Sequence, residues 1–294
     1  MTKTVLVTGA KGQLGCELTK VFTQHSEFNF IPTDIDTLDL TNKKEVIHFV
    51  KKHKIDYIIN CAAYTAVDKA EEEIDLCYLI NRDAVKNIVE AAAARGKAKI
   101  IHISTNYVFD GVKNTPYIET DITNPQSVYG KSKLEGENTL MKNCPESIII
   151  RTSWLYSIYG YNFVKKILRL IKEKSEINVV CDQIGTPTFA PDLANTILVL
   201  ITFLKKTKNF HSGIFHYSNE GIVSWFDFAK KILQLSETKN CKIRPITTEQ
   251  YPIRAKRPFY SALNKKKIKK AFDIVIPNWE VSLKKCINLL TNKS

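Results

Sequence analysis

Thr4-Val5-Leu6-Val7-Thr8-Gly9-Ala10-Lys11-Gly12-Gln13-Leu14-Gly15 is the stretch that decides the fold. Its first five residues are a short apolar, β-branched run, the pattern of a strand covered on both faces. Gly9, Gly12 and Gly15 follow as G-x-x-G-x-x-G, and Leu14, Leu18, Val21 and Phe22 then recur with helical spacing. Strand, glycine loop and helix in that order make a phosphate cradle. One glycine permits the tight turn, one lets a pyrophosphate approach the backbone, and one lets the helix pack on the strand. The helix N-terminus adds free N–H groups and the positive end of its dipole. The alternative is an ordinary glycine turn.

Outward from this unit, short apolar runs over 29–32, 57–60, 99–104 and 147–151 read as further strands. They alternate with helical patterns over 42–52, 75–95 (closed by Gly96) and 125–141. Repeated β-α units with near-continuous apolar strands predict an α/β protein with a Rossmann-type, doubly wound parallel sheet. Residues 1–155 are expected to form the NAD(P)-binding domain. Residues 156–294 read as a smaller, interleaved substrate lobe. It would hold helices over 163–174, 193–204, 225–235 and 279–290, and strands over 177–180, 214–217 and 242–246. A segment within 175–217 is expected to complete the sheet, and 177–180 is one candidate.

Composition narrows the class. At 294 residues, 44% hydrophobic and 25% charged, the chain is long enough for a sizeable core and close to a soluble globular average. No run approaches the roughly 18 apolar residues of a membrane span. The N-terminus enters a strand without an apolar signal region. Seven scattered cysteines, an odd number with no C-x-x-C pair, argue against a disulfide framework, and the six histidines do not cluster for zinc. Free thiols in a reducing cytoplasm are the expectation. The formal charge of +13 comes from 43 basic and 30 acidic residues. The basic residues are mostly lysines scattered along the chain, with no recognisable nucleic-acid module. A positive field would instead aid capture of anionic small molecules.

Two positions bear on the cofactor. Asp34, 25 residues after Gly9, is placed to accept from a ribose 2′-OH, which favours NAD. Lys11, inside the loop, could meet a 2′-phosphate instead. NADH is expected to be usable and NADPH not excluded. Small residues at Ala62 and Ala63 leave room for a ligand across the strand tips, or simply pack closely.

The chemistry centres on Tyr129-Gly130-Lys131-Ser132-Lys133. Tyr129 and Lys133 at i and i+4 share a helix face. An ammonium beside a phenol favours the phenolate, so Tyr129 is expected to be acidified and to donate a proton near neutral pH. Tyr161 and Lys165 repeat the Y-x-x-x-K spacing, but only Tyr129 follows Ser104-Thr105, at a strand tip where ligands bind in open α/β sheets.

With these motifs in order, the chain resembles the extended short-chain dehydrogenase/reductases. The segments 62–71, 104–111, 129–137, 151–154 and 182–188, with Arg257-Pro258, are similar to the dTDP-4-dehydrorhamnose reductase family. That resemblance implies NADH or NADPH as hydride source and reduction of the C4 ketone of a dTDP-4-keto-6-deoxy sugar, in nucleotide-sugar and cell-surface polysaccharide biosynthesis. It implies Tyr129 as proton donor, Lys133 as its partner and a holder of the nicotinamide ribose, and Thr105 as a hydrogen-bond donor to the carbonyl. Gly9, Gly12, Gln13, Leu14 and Gly15 would meet the pyrophosphate. Asp39 and Leu40 would border the adenine, and Ala62, Ala63 and Tyr64 the nicotinamide half. Ser104, Trp154 and Arg257 would contact the sugar nucleotide. Glu17 resembles a magnesium-binding residue of some relatives, or is a solvated helix acid.

The chain departs from the family pattern at three positions. Asn106 stands where Asp is usual, Tyr64 where His is common and Tyr260 where Asn is usual. Asn106 and Tyr107 replace the acid pair of sugar 4,6-dehydratases and cannot shuttle protons as that pair does. Outside the motifs, Trp225 follows a capping serine and reads as helix packing. The lysine run from Lys265 to Lys270 reads as a solvated helix start. The alternatives are a sugar-nucleotide epimerase of the same superfamily and a non-catalytic dinucleotide-binding regulator similar to the methionine adenosyltransferase regulatory subunit. A dTDP-sugar is the expected partner, with no nucleic acid, no membrane and a homodimer as the expected assembly.

Overall fold

A computed structural model describes residues 2–96, 98–206, 211–238, 240–251 and 254–291. Strands β1 (Lys3–Thr8), β2 (Phe28–Thr33), β3 (Tyr57–Asn60), β4 (Lys99–Thr105) and β5 (Ile148–Thr152) alternate with helices in the first half. These are α1 (Gln13–Phe22), α2 (Lys43–Lys52), α3 (Val67–Ala70), α4 (Ile74–Tyr78), α5 (Ala84–Arg95) and α6 (Val128–Asn143). Then come β6 (Leu155–Tyr156), α7 (Phe163–Glu173), β7 (Glu176–Val180), β8 (Ile184–Gly185), β9 (Thr188–Phe189) and α8 (Ala190–Lys206). The chain continues through β10 (Gly213–His216), β11 (Val223–Ser224), α9 (Trp225–Leu235), β12 (Lys242–Ile246), α10 (Lys266–Phe272) and α11 (Trp279–Thr291).

The main sheet has six strands in the order β10-β5-β4-β3-β1-β2. All five pairings are parallel. The chain leaves β1 in one direction toward β2 and returns on the other side at β3. This makes a switch point between β1 and β3, the place where open α/β sheets bind ligands. Both faces of the sheet are covered. Val5, Val7, Ile59, Ile101 and Ile150 pack under α1 and α8. Leu6, Ile58, Ile100 and Ile149 pack under α2, α5 and α6. Alternate residues of each strand therefore enter two different cores, which is why the strands read as continuously apolar.

A separate core joins Tyr156, Ile167, Phe228, Trp279 and Leu283 around α7, α9 and α11. Helix α8 and strand β10 lie after 155 in sequence yet belong to the main sheet and its covering layer.

Three local expectations are corrected. The 177–180 segment does not join the main sheet; as β7 it pairs with β12 in a two-stranded parallel sheet. Its alternation of buried Ile177 and Val179 with exposed partners suits a strand covered on one face only. The helix expected over 75–95 carries a π-helical turn, Leu79–Asp83. That turn presents Asn81, whose amide bonds the backbone N–H and C=O of Tyr64 and the Ser132 hydroxyl. The helix expected from 125 starts at Val128, because the Ser127 hydroxyl accepts from the Gly130 N–H and caps it there.

Candidate active site

The glycine loop leaves β1 and turns at Gly9, whose φ of +67° is left-handed backbone. A Cβ at Gly9 would stand 2.8 Å from the Ala62 nitrogen, and one at Gly15 would stand 2.2 Å from the Gly9 oxygen. The loop, the start of α1 and the end of β3 thus meet at a distance that only hydrogen atoms permit. Gly12 precedes α1 as its N-cap, with no side-chain hydrogen bond capping the helix end. This bare, N–H-rich end suits a pyrophosphate.

The Asp34 carboxylate ties this loop down. It accepts from the Lys11 N–H at 2.8 Å and from the Ile35 N–H at 2.9 Å. The Lys11 ammonium pairs with Asp36 at 2.6 Å on the surface. A cleft of about 330 Å³ runs past Gly9, Gly12, Asp34, Asp39, Leu40, Ala62 and Ala63.

A second cleft, about 710 Å³, continues from the loop across the tips of β4 and β5. Its walls include Gln13, Leu14, Thr105, Asn106, Tyr129, Lys133, Trp154, Tyr161 and Trp225. Thr105, Tyr129 and Lys133 lie at most 9% exposed at its floor. The loop and the catalytic candidates are therefore walls of one continuous space. The two clefts share Gly9, Gly12, Cys61 and Ala63.

The electrostatics differ from the expectation at Tyr129. Burial pushes its phenol up to about 12, while a hydrogen bond with Thr105 works in the opposite direction. Lys133 shares the helix face but spends its donors elsewhere. Its Nζ donates to the Ile103 carbonyl at 2.7 Å and stands 3.3 Å from His102 Nε2. Burial brings the Lys133 ammonium down to about 8, against the pull of Glu137. Desolvation is the largest cause at both residues, so Tyr129 rests as a protonated phenol and Lys133 titrates at about 8.

Other site candidates fall into different places. The Ser104 hydroxyl is committed to buried Glu137, which also holds Arg151 through three contacts of 2.6–3.2 Å. Tyr64 turns from both clefts, its hydroxyl donating to Glu73 at 2.5 Å. Asn106 is 2% exposed, and its amide nitrogen has no protein partner. Arg257 donates to Asp68 at 2.7 Å and lines a third groove, of about 860 Å³, with Tyr161, Gln183 and Trp225. Tyr161 precedes the α7 N-cap Asn162 and is exposed. Lys165 bonds the carbonyls of Ile158 and Gly160, so this second tyrosine–lysine pair is not assembled.

Trp154 has a φ of +48°, costly for a residue with a side chain, and its ring stacks on Trp225 at 3.6 Å between centroids. Trp225 is therefore a wall of the cleft as well as a packing residue, which its position after a capping serine could not reveal. Asp68, the partner of Arg257, carried no signal beyond its place in the opening of a short helix. Glu17 is 4% exposed and accepts from Ser157 at 2.6 Å, which overturns the solvated reading. Among the described residues no group of three or more His, Cys, Asp or Glu could hold a metal ion. The lysine run is only partly solvated, since Lys265 is buried and pairs with Glu220, as Lys269 does.

Comparison with known proteins adds to this geometry. Residues 2–292 match the family described as the RmlD substrate binding domain. A dTDP-4-dehydrorhamnose reductase from Aggregatibacter actinomycetemcomitans is 42% identical over 285 residues, covering 95% of this chain and 97% of the relative. A crystal structure of such a reductase from Clostridium acetobutylicum superposes with a TM-score of 0.92 at 44% identity, over 98% of this chain and 99% of that one. One from Bacillus anthracis, in complex with NADP, gives a TM-score of 0.92 at 40% identity, over 98% and 99% of the two chains.

Proposed function

The chain belongs to the RmlD substrate binding domain family, and from that premise we propose that it is an NAD(P)H-dependent reductase of a dTDP-4-keto-6-deoxy sugar. Its product is dTDP-L-rhamnose, formed from dTDP-4-dehydro-L-rhamnose. The observation that carries this reading is the convergence of the glycine loop with Thr105, Tyr129 and Lys133 on one cleft. The loop fits a dinucleotide, because Gly12 leaves the start of α1 without a side-chain cap and Gly12, Gln13 and Leu14 line the cleft there. When bound there, the dinucleotide supplies the hydride.

The residues divide the remaining work. Gly12, Gln13 and Leu14 hold the pyrophosphate at the bare N-terminus of α1. Asp39 and Leu40 border the adenine along the smaller cleft, and Ala62 and Ala63, on the same wall, border the nicotinamide half. Thr105 bonds the substrate carbonyl oxygen and orients it toward Tyr129. The Tyr129 phenol, kept protonated through the neutral range by burial, gives its proton to that oxygen as the alkoxide forms. The Lys133 ammonium, on the same helix face, steadies the phenolate left behind and holds the nicotinamide ribose. Trp154 and Trp225 offer a flat apolar wall to the sugar nucleotide. Arg257 swings from Asp68 to the diphosphate, for which a guanidinium fork is well shaped.

Asn106 supports reduction over dehydration, since an amide cannot carry the proton that a dehydratase acid must move. Among the described residues no helix is long and apolar enough to cross a membrane. A cytoplasmic location and a homodimer complete the proposal. Loss of NAD(P)H absorbance, one equivalent per sugar consumed, is the test. A flat trace with isomerised product would identify an epimerase. Cofactor binding with no change in the sugar would identify a regulator.

A further inference from the structure

A line of buried polar groups crosses the main sheet behind the cleft. The Thr8 hydroxyl donates to Asn60 Oδ1 at 2.7 Å. Asn60 Nδ2 meets His102 Nδ1 at 3.0 Å, and His102 Nε2 meets Lys133 Nζ at 3.3 Å. The four side chains sit on β1, β3, β4 and α6 and are 0–2% exposed. Satisfied polar groups this deep are costly to misplace, so the line fixes each member's orientation.

Donor bookkeeping assigns the roles. The threonine hydroxyl gives its hydrogen to the amide oxygen, so the amide nitrogen faces the imidazole. Nδ1 therefore accepts, and in a neutral ring the hydrogen resides on Nε2. Burial and the Lys133 charge both push the His102 ring toward its neutral form. An N–H dipole then points at the lysine nitrogen. It opposes an ammonium there and welcomes a neutral amine.

We propose that His102 is a positioning residue for Lys133. Held by Asn60 and Thr8, it presents Nε2–H to Nζ, fixes the amine against the Ile103 carbonyl and lowers the pH at which the amine gains its proton. Other groups act on the same nitrogen. Glu137, one turn along α6, favours the charge, as do Cys61 at the end of β3 and Cys77 on α4. Arg151 offsets Glu137 by pairing with it. Tyr129 occupies the preceding turn of α6. His102 is the imidazole in contact with the amine, and it touches neither cleft wall directly among the described lining residues.

The inference rests on the reductase reading for its catalytic meaning, so the test reads Lys133 without turnover. The intact protein, labelled with 15N-lysine, is titrated by NMR, and the Nζ signal absent from Lys133→Met assigns the resonance. His102→Asn, which can reproduce Nδ1 but not Nε2–H, is expected to raise the Lys133 pKa by at least about half a pH unit. Thr8→Val, which frees the amide to turn, is expected to shift it the same way. His102→Gln, whose amide can stand where Nε2–H stood, is expected to stay near wild type. A folded His102→Asn protein with an unmoved or lowered Lys133 pKa would overturn the proposal, as would a Gln shift equal to the Asn shift. Wild-type protein that titrates as expected but does not reduce the sugar would overturn the reductase reading alone.

Discussion

Trp154 and Trp225 stack at 3.6 Å between ring centroids with an interplanar angle of 11°, although 71 residues separate them in the chain. One ring comes from the tip of β5 and the other from the start of α9, so the stack joins the main sheet to the second lobe across the cleft mouth. An aromatic pair of this kind contributes about 0.5–1.5 kcal/mol beyond its buried area. Trp225→Ala is expected to raise KM for the sugar nucleotide by about 3- to 10-fold with kcat little changed. Steady-state kinetics at saturating NADPH read both constants.

Tyr129→Phe removes the phenol proposed as proton donor and leaves the ring. Loss of general-acid catalysis is expected to lower kcat by about 10²- to 10⁴-fold. NADPH affinity, read by fluorescence titration, should stay close to wild type. A variant that reduces the sugar at the wild-type rate would remove Tyr129 from the mechanism.

The pH profile follows from two opposite shifts. Tyr129, raised to about 12, stays protonated across the working range. Lys133 loses its charge as pH rises through about 8. The rate constant kcat/KM is therefore expected to fall on the alkaline side with an apparent pKa near that of Lys133. A limb set by Tyr129 would lie far higher, so the position of the limb identifies the group.

The same lysine carries a stability signature. Its folded value lies below the ordinary 10.5, so the folded state binds fewer protons than the unfolded state between about 8 and 10.5. The burial penalty is complete below that window and fades as pH rises through it. Lys133→Met is expected to be more stable than wild type at neutral pH, by about 1–3 kcal/mol, with the gain vanishing above the window. Urea unfolding across pH checks the sign.

Gly15→Ala puts a methyl group 2.2 Å from the Gly9 oxygen. The methyl meets only backbone atoms, of Gly9 and Ala10, with no flexible side chain to give way, so α1 must move away from β1. NADPH affinity is expected to drop at least about 10-fold, with a loss of stability of about 1–3 kcal/mol. Calorimetry and thermal unfolding separate the two effects.

The sequence by itself determined the sheet and its glycine loop. The apolar runs of β1, β3, β4 and β5 and the three glycines are local signals, because a strand covered on both faces and a turn without Cβ impose their demands on consecutive residues. The i, i+4 spacing of Tyr129 and Lys133 was legible for the same reason. Only the tertiary structure decided what those residues are worth chemically. Helix α6 lies so deep against β4 that desolvation, and not the shared helix face, sets both protonation states. The bonding of Ser104 to Glu137, the π-helical turn at Asn81, the pairing of Arg257 with Asp68 and the stack of Trp154 on Trp225 each join residues distant in sequence or local groups whose burial is set from outside. No composition or period encodes such contacts, since they depend on where separate elements come to rest once two cores have packed.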